Sequence, residues 1–170
     1  MKTKFIFYVV VSSVFFGCST PAEKLQSTFN KGNNEGLVVG TIYIENKNAS
    51  SYTFVYGDDK LAMADHPNDI NKFSYKYIGD FNMDKKSYFL FSIAKPKGKY
   101  KFHRVEVFDN TREKIEQFDV PMDVNFEVVE GKTTYLGQVN VNVQKKEFSV
   151  ENQIDRDRTW FAKKAPQIQF

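Results

Sequence analysis

The sequence predicts an all-β fold, an antiparallel β-sandwich of about seven to eight strands followed by one C-terminal α-helix. Between residues 36 and 150, apolar residues alternate with polar residues in short runs that are separated by turn-forming residues. A helical spacing of apolar residues begins only after residue 150. The chain has 17 Phe, 9 Tyr and a single cysteine, so its stability must come from an aromatic core and not from disulfides.

The first four predicted strands carry large apolar side chains at every second position, the pattern of a strand with one buried face. Their apolar runs span residues 38–44, 52–56, 73–77 and 89–93. Leu90 lies between two inward-facing phenylalanines, so we expect the fourth strand to be buried on both faces. The tyrosines of the second and third strands either pack in the core, which we expect, or stack on sugar rings. These tyrosines are Tyr52, Tyr56, Tyr75 and Tyr77.

The fifth predicted strand contains a change of phase. Tyr100 and Phe102 occupy even positions, whereas Val105 and Val107 occupy odd positions, and one regular pleat cannot turn both pairs inward. Either a β-bulge lies near His103, or the strand passes there from one sheet to the other. We favour the crossing, because a sandwich needs such connections.

The clearest predicted hairpin joins residues 120–128 to residues 135–143 through the turn Glu130-Gly131-Lys132. Both arms alternate, so we expect the pair to have one buried face and one solvated face. Phe148 and Val150 predict a short last strand. The amides expected on the solvated face are Gln138, Asn140, Asn142 and Gln144.

A helix is predicted over residues 151–165, followed by a tail of residues 166–170. Asn152 caps its start and Pro166 ends it. We expect the helix to cover an open end or edge of the sandwich, with Trp160 as a docking residue. Its apolar face consists of Ile154, Phe161, Ala165 and the stem of Arg158.

The first 18 residues have the pattern of an export signal. Lys2 and Lys4 precede an apolar run from residue 5 to residue 16. Twelve helical residues reach about 18 Å, too short to span a bilayer core of about 30 Å. The run Phe15-Phe16-Gly17-Cys18 resembles the lipobox of bacterial lipoproteins. That resemblance implies cleavage between Gly17 and Cys18 and attachment of diacylglycerol, with fatty acids such as palmitate, to Cys18.

The resemblance also implies a domain order. Residues 1–17 are the signal peptide, residues 18–35 a lipidated N-terminus with a flexible tether, and residues 36–150 the sandwich. Ser19 follows Cys18 where an aspartate would imply retention in the inner membrane, so the expected location is the outer membrane, facing the periplasm or the cell surface. The alternative is an ordinary signal cut after Ala22, with Cys18 discarded.

The charge of the chain argues against nucleic acid as a partner. The formal charge is +3, from 24 basic and 21 acidic residues. Removal of residues 1–17 takes away Lys2 and Lys4 and leaves 22 against 21, a charge of +1. Nucleic-acid binding needs a concentrated basic surface.

Two segments carry a further family resemblance. Residues 91–102, FSIAKPKGKYKF, resemble the strand, proline-glycine turn, tyrosine, strand signature of prealbumin-like and carboxypeptidase-regulatory-like sandwiches. Residues 126–137, FEVVEGKTTYLG, are similar to a hairpin of small bacterial lipoproteins that contain such a domain. The resemblance implies a sandwich of prealbumin-like or immunoglobulin-like type, and such folds host many functions.

No catalytic, metal or cofactor site is predicted. The two histidines, His66 and His103, occur without HExxH or CxxC spacing, and no Gly-x-Ser-x-Gly motif is present. Paired carboxylates of a hydrolase stay open as an alternative, with no residues assigned. Four loop acids lack the spacing of a calcium loop; they are Asp58, Asp59, Asp65 and Asp69.

One surface feature is a candidate contact for an anionic polymer or lipid headgroups, and its alternative is a soluble edge that prevents aggregation. It consists of Lys95, Lys97, Lys99, Lys101 and Arg104. The expected function is that of a membrane-anchored, non-catalytic binding or structural module of the cell envelope. The alternatives are a partner-docking subunit of an envelope assembly or secretion machine and a polysaccharide-binding module.

Overall fold

The computed structural model describes residues 25–45, 49–60, 70–75, 78–110 and 115–170. Over these residues the fold is all-β with one C-terminal helix, α1 (Ile154–Lys164), and a short 3₁₀ turn, Lys31–Asn33. This confirms the predicted all-β class with a C-terminal helix, although these residues form nine strands where seven to eight were expected. The strands are β1 (Glu35–Glu45), β2 (Ser51–Asp58), β3 (Asn71–Tyr75), β4 (Phe81–Met83), β5 (Lys86–Pro96), β6 (Gly98–Asp109), β7 (Glu116–Val128), β8 (Thr133–Asn142) and β9 (Glu147–Glu151).

The strands form two sheets that pack face to face. The first sheet has five strands in the order β4-β5-β1-β8-β9, and the second has four in the order β3-β2-β6-β7. All pairs are antiparallel except β1 with β8, which is parallel. The inward-facing side chains of both sheets form one apolar core, in which β1 supplies its even-numbered residues and β5 its odd-numbered ones.

Aromatic side chains fill this core as expected. Tyr52 and Phe54 are fully buried, and Phe54 stacks on Phe73 with 5.4 Å between ring centroids. Tyr75 donates a 2.6 Å hydrogen bond to the carbonyl of Leu90. Burial, with Tyr100 as the second cause, raises the pKa of Tyr56 to about 12. The described tyrosines of β2 and β3 therefore pack in the core; Tyr77 lies outside the described residues.

The change of phase in β6 is a β-bulge. The register of β6 against β7 shifts between Phe102 and Arg104, and the strand stays in one sheet. Phe102 and Val105 both reach the core, because the extra residue resets the alternation. Our preferred crossing of sheets is wrong here. The crossing comes earlier, at Lys97 between β5 and β6.

The predicted hairpin of residues 120–128 and 135–143 is also wrong. Strand β7 pairs with β6 in the four-stranded sheet, whereas β8 pairs with β1 and β9 in the other sheet. The turn forms, since the amide of Lys132 donates a 3.1 Å hydrogen bond to the carbonyl of Val129. It carries the chain across the sandwich instead of back along the same sheet.

A second bulge changes the face of β8. Its register against β1 shifts between Val39 and Gly40, and Gly137 has a φ of +124°. Tyr135 consequently packs on the outer face of the five-stranded sheet, and Val139 on the inner face. Gln138, predicted to be solvated, is buried because the outer face beside it is covered by the helix.

Helix α1 lies on the outer face of the five-stranded sheet, not over an open end or edge. Phe161 and Ala165 pack there against Leu37 and Val39. Trp160 docks on Phe81 with 4.4 Å between ring centroids, as the sequence predicts. The helix begins at residue 154 because residues 147–151 form strand β9, the predicted short last strand. The side chain of Asn152 accepts a 3.2 Å hydrogen bond from the amide of Ile154.

Part of the predicted tether packs on the same outer face. Leu25 and Phe29 join the apolar cluster under the helix, and the side chain of Gln26 accepts a 2.8 Å hydrogen bond from the amide of Ala94. Residues 25–29 of the predicted flexible tether are therefore packed on the sheet.

Candidate functional site

The five cations predicted as an anionic contact are divided between the two sheets. Lys95 lies next to the last residue of β5 in the five-stranded sheet and donates a 2.6 Å hydrogen bond to Asn71. Lys99 and Lys101 lie on β6 in the other sheet, beyond the crossing at Lys97. Three of the set pair with carboxylates on neighbouring segments. These pairs are Lys97–Glu130 at 3.1 Å, Lys101–Asp123 at 3.4 Å and Arg104–Asp119 at 3.1 Å.

Acidic neighbours therefore take up much of the positive charge of this region. Arg104 also contacts Glu106 at 2.6 Å, and Lys72 contacts the same carboxylate at 3.0 Å. The pairs Lys101–Asp123 and Arg104–Asp119 join the adjacent strands β6 and β7 and stabilise the sheet locally. Contact of this region with an anionic surface stays a prediction.

The metal-site residues considered from the sequence are scattered or lie outside the described residues. His103 lies at the bulge of β6, where partial burial and then Lys101 lower its pKa. Asp58 accepts a 2.9 Å hydrogen bond from the amide of Lys60. Within the described ranges, no group of three or more potential ligands is close enough to hold a metal ion. Asp59 lies within the described ranges, and its amide donates a 3.2 Å hydrogen bond to the carbonyl of Lys99. The other site residues of the sequence analysis fall outside those ranges; they are Gly17, Cys18, His66, Asp65 and Asp69.

A buried polar cluster, not predicted from the sequence, joins the helix to the sheet. Asp157 is fully buried. Its Oδ2 accepts hydrogen bonds from the hydroxyl of Thr41 at 2.8 Å and from the hydroxyl of Tyr135 at 2.6 Å. Its Oδ1 accepts one from Nε of Arg156 at 2.7 Å. Arg156 also donates to Gln138 at 2.5 Å.

The partners of Asp157 satisfy its charge, so the cluster holds the helix in place. The guanidinium of Arg156 lies 4.7 Å from the ring centroid of Tyr88. Burial first, and the hydrogen bond to Asp157 second, raise the pKa of Tyr135, which keeps its hydroxyl protonated as a donor. With an exposed fraction of 0%, Asp157 is closed to a substrate in this conformation.

A second feature, the polar groove, lies beside the helix on the same outer face. It is a shallow depression of about 340 Å³. Asn140 donates a 3.1 Å hydrogen bond to Ser149, and Asn142 donates a 2.7 Å hydrogen bond to Glu45, so these side chains are held in fixed positions. The groove is lined by Tyr43, Glu45, Lys86, Asn140, Asn142 and Ser149, among others.

The groove and the N-terminal segment lie at opposite ends of the outer face. Gln26 bonds to Ala94, which is opposite Leu37 in the register of β1 and β5, whereas Tyr43 of the groove is opposite Tyr88. Leu37 and Tyr43 are six residues apart along β1, or about 20 Å at the rise of a strand. Any tether that enters at Leu25 therefore holds the domain by the end away from the groove.

The sequence contains partial signals for the buried polar cluster and for the polar groove. Asp157 precedes Phe161 by four residues, so the two share one face of the helix, and a polar residue on that apolar face is the signal for the buried cluster. The alternation of Asn140 and Asn142 indicated an outward amide row. The helix covers one end of this amide row and leaves only the other end open. No local sequence pattern indicated that position of the helix.

The comparisons with known proteins give little further. No family model matches the chain, and no curated protein matches it. Among solved structures, it is similar to a leucine-rich repeat protein from Bacteroides thetaiotaomicron, with 12% identity and a TM-score of 0.39. The likeness covers 64% of this chain and 14% of that protein, and at this TM-score it carries no argument. Within the described residues, none of the helices has the length and hydropathy needed to span a bilayer.

Proposed function

We propose that this chain is a lipid-anchored, non-catalytic binding module of the bacterial outer membrane, built on a sandwich of prealbumin-like type. The proposal rests on the position of two features at opposite ends of the outer face. The segment that follows Cys18 enters at one end, and the open polar groove lies at the other. A module held by the first end presents the second to a partner.

The length of chain before Leu25 supports this arrangement. Cys18 and Leu25 are seven positions apart, and an extended chain of that length reaches about 25 Å. A lipid on Cys18 would thus keep the sandwich close to the membrane surface. The groove would lie a further 20 Å or so away along the strands.

Metabolic labelling of cells with a fatty acid tests the anchor. We expect the full chain to incorporate label, Cys18→Ala to lose it, and Ser19→Ala, the matched control, to keep it. Fractionation should place the labelled chain in the outer membrane. Label that persists in Cys18→Ala would overturn the anchor, as would a mature N-terminus at residue 23.

A second candidate function is binding of an envelope polysaccharide in the polar groove. Fixed amides beside an aromatic ring are suited to sugar hydroxyls and ring faces. Co-sedimentation with purified peptidoglycan tests it. We expect Asn140→Ala combined with Asn142→Ala to abolish co-sedimentation, while Gln117→Ala, an exposed amide on β7, leaves it unchanged. Equal sedimentation of both variants would rule out the groove.

A further inference from the structure

Strand β9 forms one edge of the five-stranded sheet. It pairs with β8 on one side, from Asn142 opposite Glu147 to Gln138 opposite Glu151. On its other side, no strand in the part of the chain that the structure describes pairs with it. All five of its residues are exposed. Such an edge presents backbone donors and acceptors to any strand that aligns with it.

The side chains of β9 differ between its two faces. Phe148 and Val150 are opposite Val141 and Val139, which face the core, yet they are 38% and 42% exposed. The inner face of the sandwich is therefore incompletely covered at this edge. A further strand beside β9 would bring side chains over both residues and complete the cover.

The neighbouring edge strand β7 lacks this combination. Its inward residues Met122 and Val124 are already buried, and Pro121 interrupts its row of backbone donors. The exposed apolar pair and the free backbone therefore coincide at β9, not at β7.

The ends of β9 indicate the charge of its partner. Glu147 and Glu151 are exposed at the two ends of the strand, on the face opposite to Phe148 and Val150. If β9 of a second copy paired with it antiparallel about Ser149, Glu147 of each copy would lie opposite Glu151 of the other. Like charges directly opposite destabilise a strand pair. Lysine or arginine at those positions would instead form attractive pairs.

We propose that β9 is a docking edge for an extended segment of a partner protein, which adds a sixth strand to the five-stranded sheet. The segment carries apolar residues opposite Phe148 and Val150 and basic residues opposite Glu147 and Glu151. Backbone hydrogen bonds supply affinity, and the alternate side chains supply specificity. This inference rests on the proposed binding function and names the class of partner.

Amide NMR of the full-length chain in detergent micelles tests the proposal with short peptides. The probe is Lys-Val-Thr-Val-Lys with blocked ends, and the matched control is Glu-Val-Thr-Val-Glu. We expect the lysine peptide to shift the amides of β9 and to bind about tenfold more tightly than the glutamate peptide. N-methylation of alternate peptide nitrogens should abolish binding, because it removes the donors to the edge.

The variant Glu147→Lys combined with Glu151→Lys should reverse the preference between the two peptides. Both residues are exposed, and an unchanged thermal midpoint checks that the variant folds. Equal binding of the two peptides, shifts confined to residues outside β9, or a preference that survives the charge reversal would overturn the proposal. So would a wild-type chain that dimerises through β9.

The experiments distinguish a failure of the proposed function from a failure of the docking edge. Fatty-acid labelling that persists in Cys18→Ala, or sedimentation outside the outer membrane, would refute the anchor and leave peptide binding as measured. A correctly anchored chain whose β9 amides do not respond to the lysine peptide would refute only the docking edge. If peptidoglycan shifts the amides of Asn140 and Asn142 while the peptide shifts nothing, the partner is a glycan and the docking edge is refuted.

Discussion

The hydroxyl of Thr41 donates a 2.8 Å hydrogen bond to the carboxylate of Asp157, linking strand β1 to helix α1 across 116 positions of the chain. Both residues are fully buried. The helix is therefore attached to the sheet by a charged cluster as well as by apolar contacts. A buried charge whose partners are satisfied fixes one orientation of the helix, because any rotation would leave the carboxylate unpaired.

We expect Asp157→Ala to lower the free energy of unfolding by about 3–5 kcal/mol, because it removes the acceptor shared by Thr41, Tyr135 and the partly buried guanidinium of Arg156. Urea denaturation followed by circular dichroism measures the loss. Asp155→Ala is the control, since Asp155 is exposed in the first turn of the same helix; its loss of helix-dipole interaction should be about 1 kcal/mol at most. Equal losses in the two variants would contradict the role of the cluster.

The sequence predicted those parts of the fold that depend on local alternation. Leu90 between Phe89 and Phe91 indicated a strand buried on both faces, and the structure confirms it, since Leu90 and Phe91 belong to opposite apolar clusters. The phase change between Phe102 and Val105 also indicated an irregularity at the right place. Whether that irregularity is a bulge or a crossing depends on which sheet each half of β6 joins. The alternation of apolar residues does not indicate which sheet a strand joins.

The pairing of β7 and β8 was mispredicted for a related reason. A turn such as Glu130-Gly131-Lys132 reverses the chain equally well within one sheet or between two. Strand β8 instead pairs parallel with β1. The paired residues Thr41 and Gln138 are about 97 positions apart in the sequence. Parallel partners so distant in sequence leave no local signal.

Gly137 permits the bulge that turns β8 between faces. A Cβ at this position would lie 2.8 Å from the carbonyl oxygen of Glu151 and 2.9 Å from Cγ1 of Val150. With φ of +124°, Gly137→Ala should be both strained and in collision with β9. We expect a loss of about 2–3 kcal/mol in the free energy of unfolding and faster hydrogen exchange at the amides of β9.

Gly131→Ala is the matched control for that prediction. Gly131 also has a positive φ, +69°, but nothing lies within 4 Å of a Cβ built there. We expect a loss of about 1–2 kcal/mol from strain alone and unchanged exchange in β9. If Gly131→Ala disturbed β9 as much as Gly137→Ala, the close approach of β9 would not be the cause.

Glu106 should make stability depend on pH in the acidic range. Partial burial raises its pKa, but the hydrogen bonds from Arg104 and Lys72 outweigh burial and lower the pKa below its ordinary value of 4.5. A carboxylate with a lowered folded-state pKa stabilises the protein above the ordinary value, and the contribution is lost as the pH falls through the folded-state pKa.

Urea denaturation over a series of acidic pH values measures this contribution. We expect the free energy of unfolding to fall more steeply below pH 4.5 in the wild type than in Glu106→Gln, which cannot titrate. Glu127→Gln, an exposed residue on β7, should keep the wild-type slope. If the plots of the free energy of unfolding against pH were parallel for the wild type and Glu106→Gln, then Arg104 and Lys72 would not stabilise the fold through the Glu106 carboxylate.

Trp160 reports whether the helix leaves the sheet before the sheet unfolds, because it is the single tryptophan of the chain and stacks on Phe81 at 4.4 Å. The helix packs on Leu37 and Val39, and β1, which carries both residues, also supplies Val38 and Ile42 to the core between the sheets. We therefore expect Trp160 fluorescence and the far-ultraviolet strand signal to change at the same urea concentration in the wild type.

Substitutions on the two sides of the indole separate packing from charge. Phe81→Ala removes a buried ring and should shift the emission of native Trp160 to longer wavelength while costing about 3–5 kcal/mol. Lys163 lies 4.8 Å from the indole centroid, and Lys163→Ala should cost less than about 1 kcal/mol with little change in emission. If the fluorescence transition of the wild type instead preceded the strand transition, the helix would unfold separately from the sheet. The buried carboxylate of Asp157 would then be the group that is rehydrated first.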